Sequence, residues 1–121
     1  MSYHLNVEEH PGYLHVTVTG TRNKRNAARF LRDVHAACIQ RGVRSALIEI
    51  RFTGPSLDTG AIYEVVAERS ADARELRKIA YVVPTEPDPA KPRFAETVAV
   101  NRGVPVRLFA SVGDAREWLL H

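Results

Sequence analysis

The chain is poor in cysteine: Cys38 is the only one, so no internal disulfide can form. None is required, because a chain of 121 residues buries roughly two thirds of its unfolded surface and closes a core unaided. No uninterrupted apolar run approaches the ~18 residues of a membrane span. The segment Met1 to Glu9 has neither the basic head nor the apolar stretch of a signal peptide, and the expectation is a cytoplasmic protein. Also missing are a glycine-rich phosphate loop, a zinc signature and any Ser/His/Asp arrangement, so neither an enzyme nor a cofactor is expected. Aromatic residues make up 7% and do not interleave with basic ones, and 17 basic against 14 acidic residues leave a net charge of only +3. That balance does not point to nucleic acid. What is present is an ordinary globular mixture, with 45% hydrophobic and 26% charged residues, sized for a single domain over 1–121.

Tyr3 to Val7 and Tyr13 to Thr19 alternate, with the turn-forming Glu9-His10-Pro11-Gly12 between them, and read as a hairpin. Pairing Val7 with Leu14, Leu5 with Val16 and Tyr3 with Val18 gathers the apolar residues on one face. Asn23 to Arg41 carries apolar residues at helical spacing, with Gly42 placed as a C-terminal cap. Strands are predicted at Ala46–Ile50, Ile79–Val83 and Val104–Phe109. Helices are predicted from about Thr59 to Leu76, from Phe94 to Arg102, and after Ser111, whose side chain is placed to cap the last helix near Asp114. The four prolines between Pro84 and Pro92 read as a stiff loop. Alternation of strands and helices after a hairpin predicts an α/β fold: a mixed, mainly parallel five-stranded sheet with four helices.

The segment from Glu49 to Gly60 leaves a strand at its carboxyl end and enters a helix with Asp58 at the N-cap. Ligands collect at this edge of parallel sheets, and the free amides of a helix start favour anions. The bland alternative is a helix cap and nothing more. Arg22, Lys24, Arg25, Arg29 and Arg32 cluster in sequence, as an acidic-partner surface or merely a solvated helix face. His4 and His15 would lie diagonally on the exposed hairpin face, but two imidazoles hold a metal only with further ligands, so no metal is expected. Cys38 falls on the apolar stripe of the first helix and reads as a buried hydrophobe. Glu64 and Glu68 share a helical face, as many solvated carboxylates do.

The loop and helix start resemble the STAS superfamily, whose founding members are anti-sigma-factor antagonists of the SpoIIAA type. In these a strand ending in an acid leads to Asp-Ser-Ser-Gly, and the serine before the glycine is phosphorylated. Here Glu49 resembles the strand acid, Asp58 the aspartate, Thr59 the phosphoacceptor and Gly60 the glycine, with one motif residue fewer. The C-terminal stretch, with Asn101-Arg102-Gly103, a strand ending in Phe109 and a final Trp118-Leu119 helix, is similar to the stand-alone STAS/SEC14-type proteins. The resemblance implies a SpoIIAA-like fold and a regulatory module that docks a protein partner through Asp58, Thr59, Gly60 and Tyr63, with phosphorylation of Thr59 as the switch. It also implies an alternative: a carrier or sensor of a small apolar or lipid-like ligand held between the second and third helices by Ile62, Val66, Phe94 and Val98.

Overall fold

A computed structural model describes residues Ser2 to His121. The chain runs β1 (Tyr3–His10), β2 (Tyr13–Thr21), α1 (Lys24–Arg41), β3 (Ser45–Thr53), α2 (Thr59–Ala73), β4 (Lys78–Val82), α3 (Ala90–Asn101), β5 (Val106–Leu108) and α4 (Val112–Leu119). The five strands form one sheet in sequential order, β1 antiparallel to β2 and every later neighbour parallel. This is the expected mixed sheet with four helices.

Three parallel crossovers taken in the same direction put their helices on one face. Accordingly α1, α2 and α3 cover the face carrying Val16, Val18, Ile48 and Tyr81. α4 follows the last strand and packs on the reverse face, over Tyr13, Leu47, Ala80 and Val82. It lies mainly against β3 and β4 and reaches β2 at Tyr13, so the rest of the hairpin's reverse face is left without a covering helix. Among the described residues no helix is long and apolar enough to cross a membrane.

The hairpin register differs from the predicted one by two residues. Val7 lies opposite Val16, Leu5 opposite Val18 and Glu9 opposite Leu14. Pro11 and Gly12 make the turn alone: proline sets the first central residue, and Gly12 takes φ 88°, a left-handed value open to glycine. A two-residue turn needs two residues fewer than the Glu9–Gly12 turn, and the pairing slides by the same amount. Because side chains alternate, a shift of two keeps every apolar group on its assigned face.

Other boundaries moved for similar local reasons. β3 extends three residues beyond Ile50, so that Phe52 is buried edge-on against Phe30 at 5.7 Å. α3 begins at Ala90 rather than Phe94, with Pro89 as its N-cap. Pro92 is tolerated in the first turn because amides there have no partner within the helix. The proline-rich loop is therefore shorter than the sequence suggests. α1 ends as predicted at Gly42, in the left-handed conformation with φ 66°. Ser111 caps α4 by accepting the Asp114 amide at 3.1 Å.

Candidate functional site

β3 delivers its chain to the carboxyl edge of the sheet, where the loop 54–57 turns back into α2. Asp58 is the N-cap, with extended backbone, and its Oδ1 accepts the Ala61 amide at 2.7 Å. Thr59 and Gly60 follow as the first helical residues, both exposed. Asp58 satisfies the Ala61 amide, while the amides of Thr59 and Gly60 precede the first intrahelical bond, from Ile62 to the Asp58 carbonyl at 3.1 Å. One turn on, Tyr63 is 47% exposed. Its hydroxyl accepts from Arg102 at 2.9 Å, and the Arg102 guanidinium stands 5.5 Å from the ring centre. Asp58, Thr59, Gly60 and Tyr63 thus occupy one accessible helix start, steadied from the end of α3.

Glu49 is not brought to this site. Its neighbours Ile48 and Ile50 face α1–α3, so Glu49 points to the opposite face, where it accepts from His15 at 3.0 Å and from Arg51. Burial alone would raise its pKa, but those two hydrogen bonds outweigh it and hold the carboxyl below its ordinary value.

Arg22 does not belong to the basic cluster predicted from the sequence. Its side chain is 5% exposed and forms an ion pair with Glu86 at 3.2 Å. It also donates to the carbonyls of Gly54, of Phe52 at 2.8 Å and of Thr85 at 3.0 Å. Ser56 donates to the same Glu86 carboxylate. One buried cation therefore ties the loop before Asp58 to the loop after β4. The rest of the cluster is largely paired: Lys24 with Glu64, and Arg29 and Arg32 with Asp33. Sequence proximity to Lys24 hid the role of Arg22, whose partners lie 30 or more residues away.

Beneath the site an apolar cavity of about 200 Å³ lies between the sheet and α1–α3. Ile62 and Val66 line it as expected, with Phe30, Ile48, Tyr81 and Ala95. Phe94 and Val98 are not among its lining residues: Val98 is buried, as Ala99 is, but the side of α3 that borders the cavity carries Pro92, Ala95 and Ala99. Leu57, the residue before the cap, also lines the cavity, so loop and cavity share a wall. Arg69 reaches its edge with Nε buried and without a hydrogen-bond partner.

His4 and His15 are not diagonal neighbours. In the observed register His4 faces Thr19 and His15 faces Glu8, with His10 stacked on Tyr13 at 5.0 Å. Cys38 is fully buried, and burial pushes its thiol up to about 11.

A mixed five-stranded sheet with three helices on one face, one on the other and an acid-capped helix at its carboxyl edge is the α/β architecture the sequence predicted. In structure the chain is similar to the crystal structure of an anti-sigma factor antagonist from Mycobacterium paratuberculosis, with a TM-score of 0.62, 21% sequence identity, and coverage of 99% of this chain and 96% of that one. The fold is therefore that of the anti-sigma factor antagonists. No protein-family model and no curated protein sequence matches the chain.

Proposed function

We propose that residues 1–121 form a single-domain, non-catalytic regulatory module of the cytoplasm. It docks a protein partner through Asp58, Thr59, Gly60 and Tyr63, and phosphorylation of Thr59 switches that contact. The observation that carries this reading is the exposure of Thr59 at the first position of α2, beside an aspartate already committed to capping. A phosphate there adds about −1.5 to −2 charge next to free amides, so the helix tolerates it. A docked partner meets a new dianion at the centre of the contact and loses affinity. The likeness to a protein named as an antagonist of an anti-sigma factor supports a protein partner over a substrate. The test is affinity capture from native cytosol with wild type, Thr59→Ala and Thr59→Glu, the fold checked by circular dichroism. The glutamate variant should lose partner more than the alanine variant does. Identical capture by all three would reduce the segment to a helix cap.

The cavity supports a second reading, a carrier or sensor of a small apolar or lipid-like molecule. At about 200 Å³ it lies below the ~300–1,000 Å³ of drug-sized sites and above the ~150 Å³ apolar cavity known to admit benzene. The unpartnered Arg69 Nε adds a preference for one acceptor atom on the ligand. Saturable binding of a short fluorescent fatty acid, lost on filling the space by Ala95→Phe, would support it; no binding at any chain length would remove it.

A further inference from the structure

The open polar side of the hairpin brings three metal-ligating side chains together. Glu8 and His10 alternate onto the same face of β1, and the register sets Glu8 directly opposite His15 on β2. One ligand atom from each lies within 4.8 Å of the other two. We propose that Glu8, His10 and His15 form a binding site for one divalent transition-metal ion, with zinc as the preferred occupant.

Two imidazoles and a carboxylate are a donor set suited to zinc and its neighbours rather than to magnesium or calcium. One distance already fits. A tetrahedron with bonds of ~2.05 Å has edges of ~3.3 Å, and His10 Nε2 already lies 3.4 Å from Glu8 Oε1. The remaining gap closes by rotation of Glu8 and His10, the two more exposed members.

His15 is prepared for the role from behind. Its Nε2 stands 3.0 Å from Glu49 Oε1, and an ionised carboxylate only accepts, so that nitrogen carries the proton. In the neutral imidazole that leaves the Nδ1 lone pair for a metal. A carboxylate behind a ligating histidine is the usual device for fixing its tautomer and orientation. Glu49 is itself held by Arg51. His10 is steadied by its stack on Tyr13, whose hydroxyl accepts from Arg116 of α4 at 3.0 Å. The two imidazoles therefore rest on groups anchored in the sheet and in α4, and Glu8 closes the set. Three protein ligands leave a fourth position toward solvent, open to water or to a side chain of another molecule. The site lies on the sheet face opposite α2, so it stands or falls independently of the docking reading.

The test is titration of zinc chloride into the untagged, chelator-dialysed protein, followed by calorimetry and thermal melting. One ion per chain, micromolar affinity and a zinc-dependent rise in Tm are expected. His10→Ala and His15→Ala should each weaken binding by about tenfold or more, and Glu49→Gln, behind the ligands, by roughly 10–100-fold. His35→Ala and His121→Ala, whose histidines lie outside the cluster, should bind as wild type does. The absence of saturable binding to wild type overturns the proposal, as does equal binding by the His10→Ala/His15→Ala double variant.

Discussion

Replacing Arg22 with methionine removes the buried cation that ties the two loops at the sheet's carboxyl edge, while keeping most of its aliphatic volume. Glu86, whose side chain is only 9% exposed, loses its ion-pair partner, and the carbonyls of Gly54, Phe52 and Thr85 lose a donor. Breaking a buried pair from one side costs about 3–5 kcal/mol, because the remaining charge stays desolvated. Thr85 Oγ1 still donates to the Phe52 carbonyl at 2.6 Å, which spares one of the three acceptors. Against a domain stability of ~5–15 kcal/mol this is a large fraction. With a urea dependence of about 2 kcal/mol per molar, the unfolding midpoint should fall by roughly 2 M. Glu86→Gln should also destabilise, and the double variant by less than the sum of the two, since the pair is one unit. Arg22→Lys should not rescue, because a single ammonium cannot span a carboxylate and three separate carbonyls. Amide exchange should rise selectively over residues 54–57. A loss below about 1 kcal/mol, typical of exposed ion pairs, would refute the reasoning and return Arg22 to the solvated cluster.

Val16 is fully buried, so Val16→Asp should cost more than about 4 kcal/mol by placing an unpaired charge in the core, and an unchanged melting temperature would contradict the hairpin packing. Asp58→Ala should lower stability by about 1 kcal/mol through loss of the Ala61 cap, read from chemical denaturation. Cys38, its thiol raised to about 11 by burial, stays protonated at pH 8. Iodoacetamide should label it slowly in the native protein and rapidly in urea; fast native labelling would mean that α1 opens readily.

The architecture was legible because hydrophobic spacing and caps are local signals. Asn23, Asp58 and Ser111 mark their helices through side chains that accept the amide three residues on. The hairpin register was not legible, since Glu9-His10-Pro11-Gly12 is compatible with both a four-residue and a two-residue turn, and both keep Val16 and Val18 inside. That slip of two residues also separated His15 from Glu8 and His10, and so hid their cluster. The exposure of Thr59 and Tyr63 follows from their position in the first turns of a surface helix, whereas a docking role for them is implied by the resemblance alone. Arg22 and the α3 side of the cavity were missed because both depend on contacts between segments distant in sequence. On α3 the spacing marks Val98 as buried, which it is, but not that the cavity borders the adjoining side with Ala95 and Ala99.

The central claim, that the start of α2 is a docking surface, is tested most directly by where a partner touches. A photo-crosslinking amino acid placed in turn at Thr59, at Tyr63 and at the exposed Glu117 of α4 on the reverse face should be irradiated in cells and the adducts sequenced. The account predicts that Thr59 and Tyr63 trap the same protein, that Glu117 does not, and that Thr59→Glu abolishes the Tyr63 adduct. Adducts at Glu117 alone, or a Tyr63 adduct indifferent to Thr59→Glu, would contradict it.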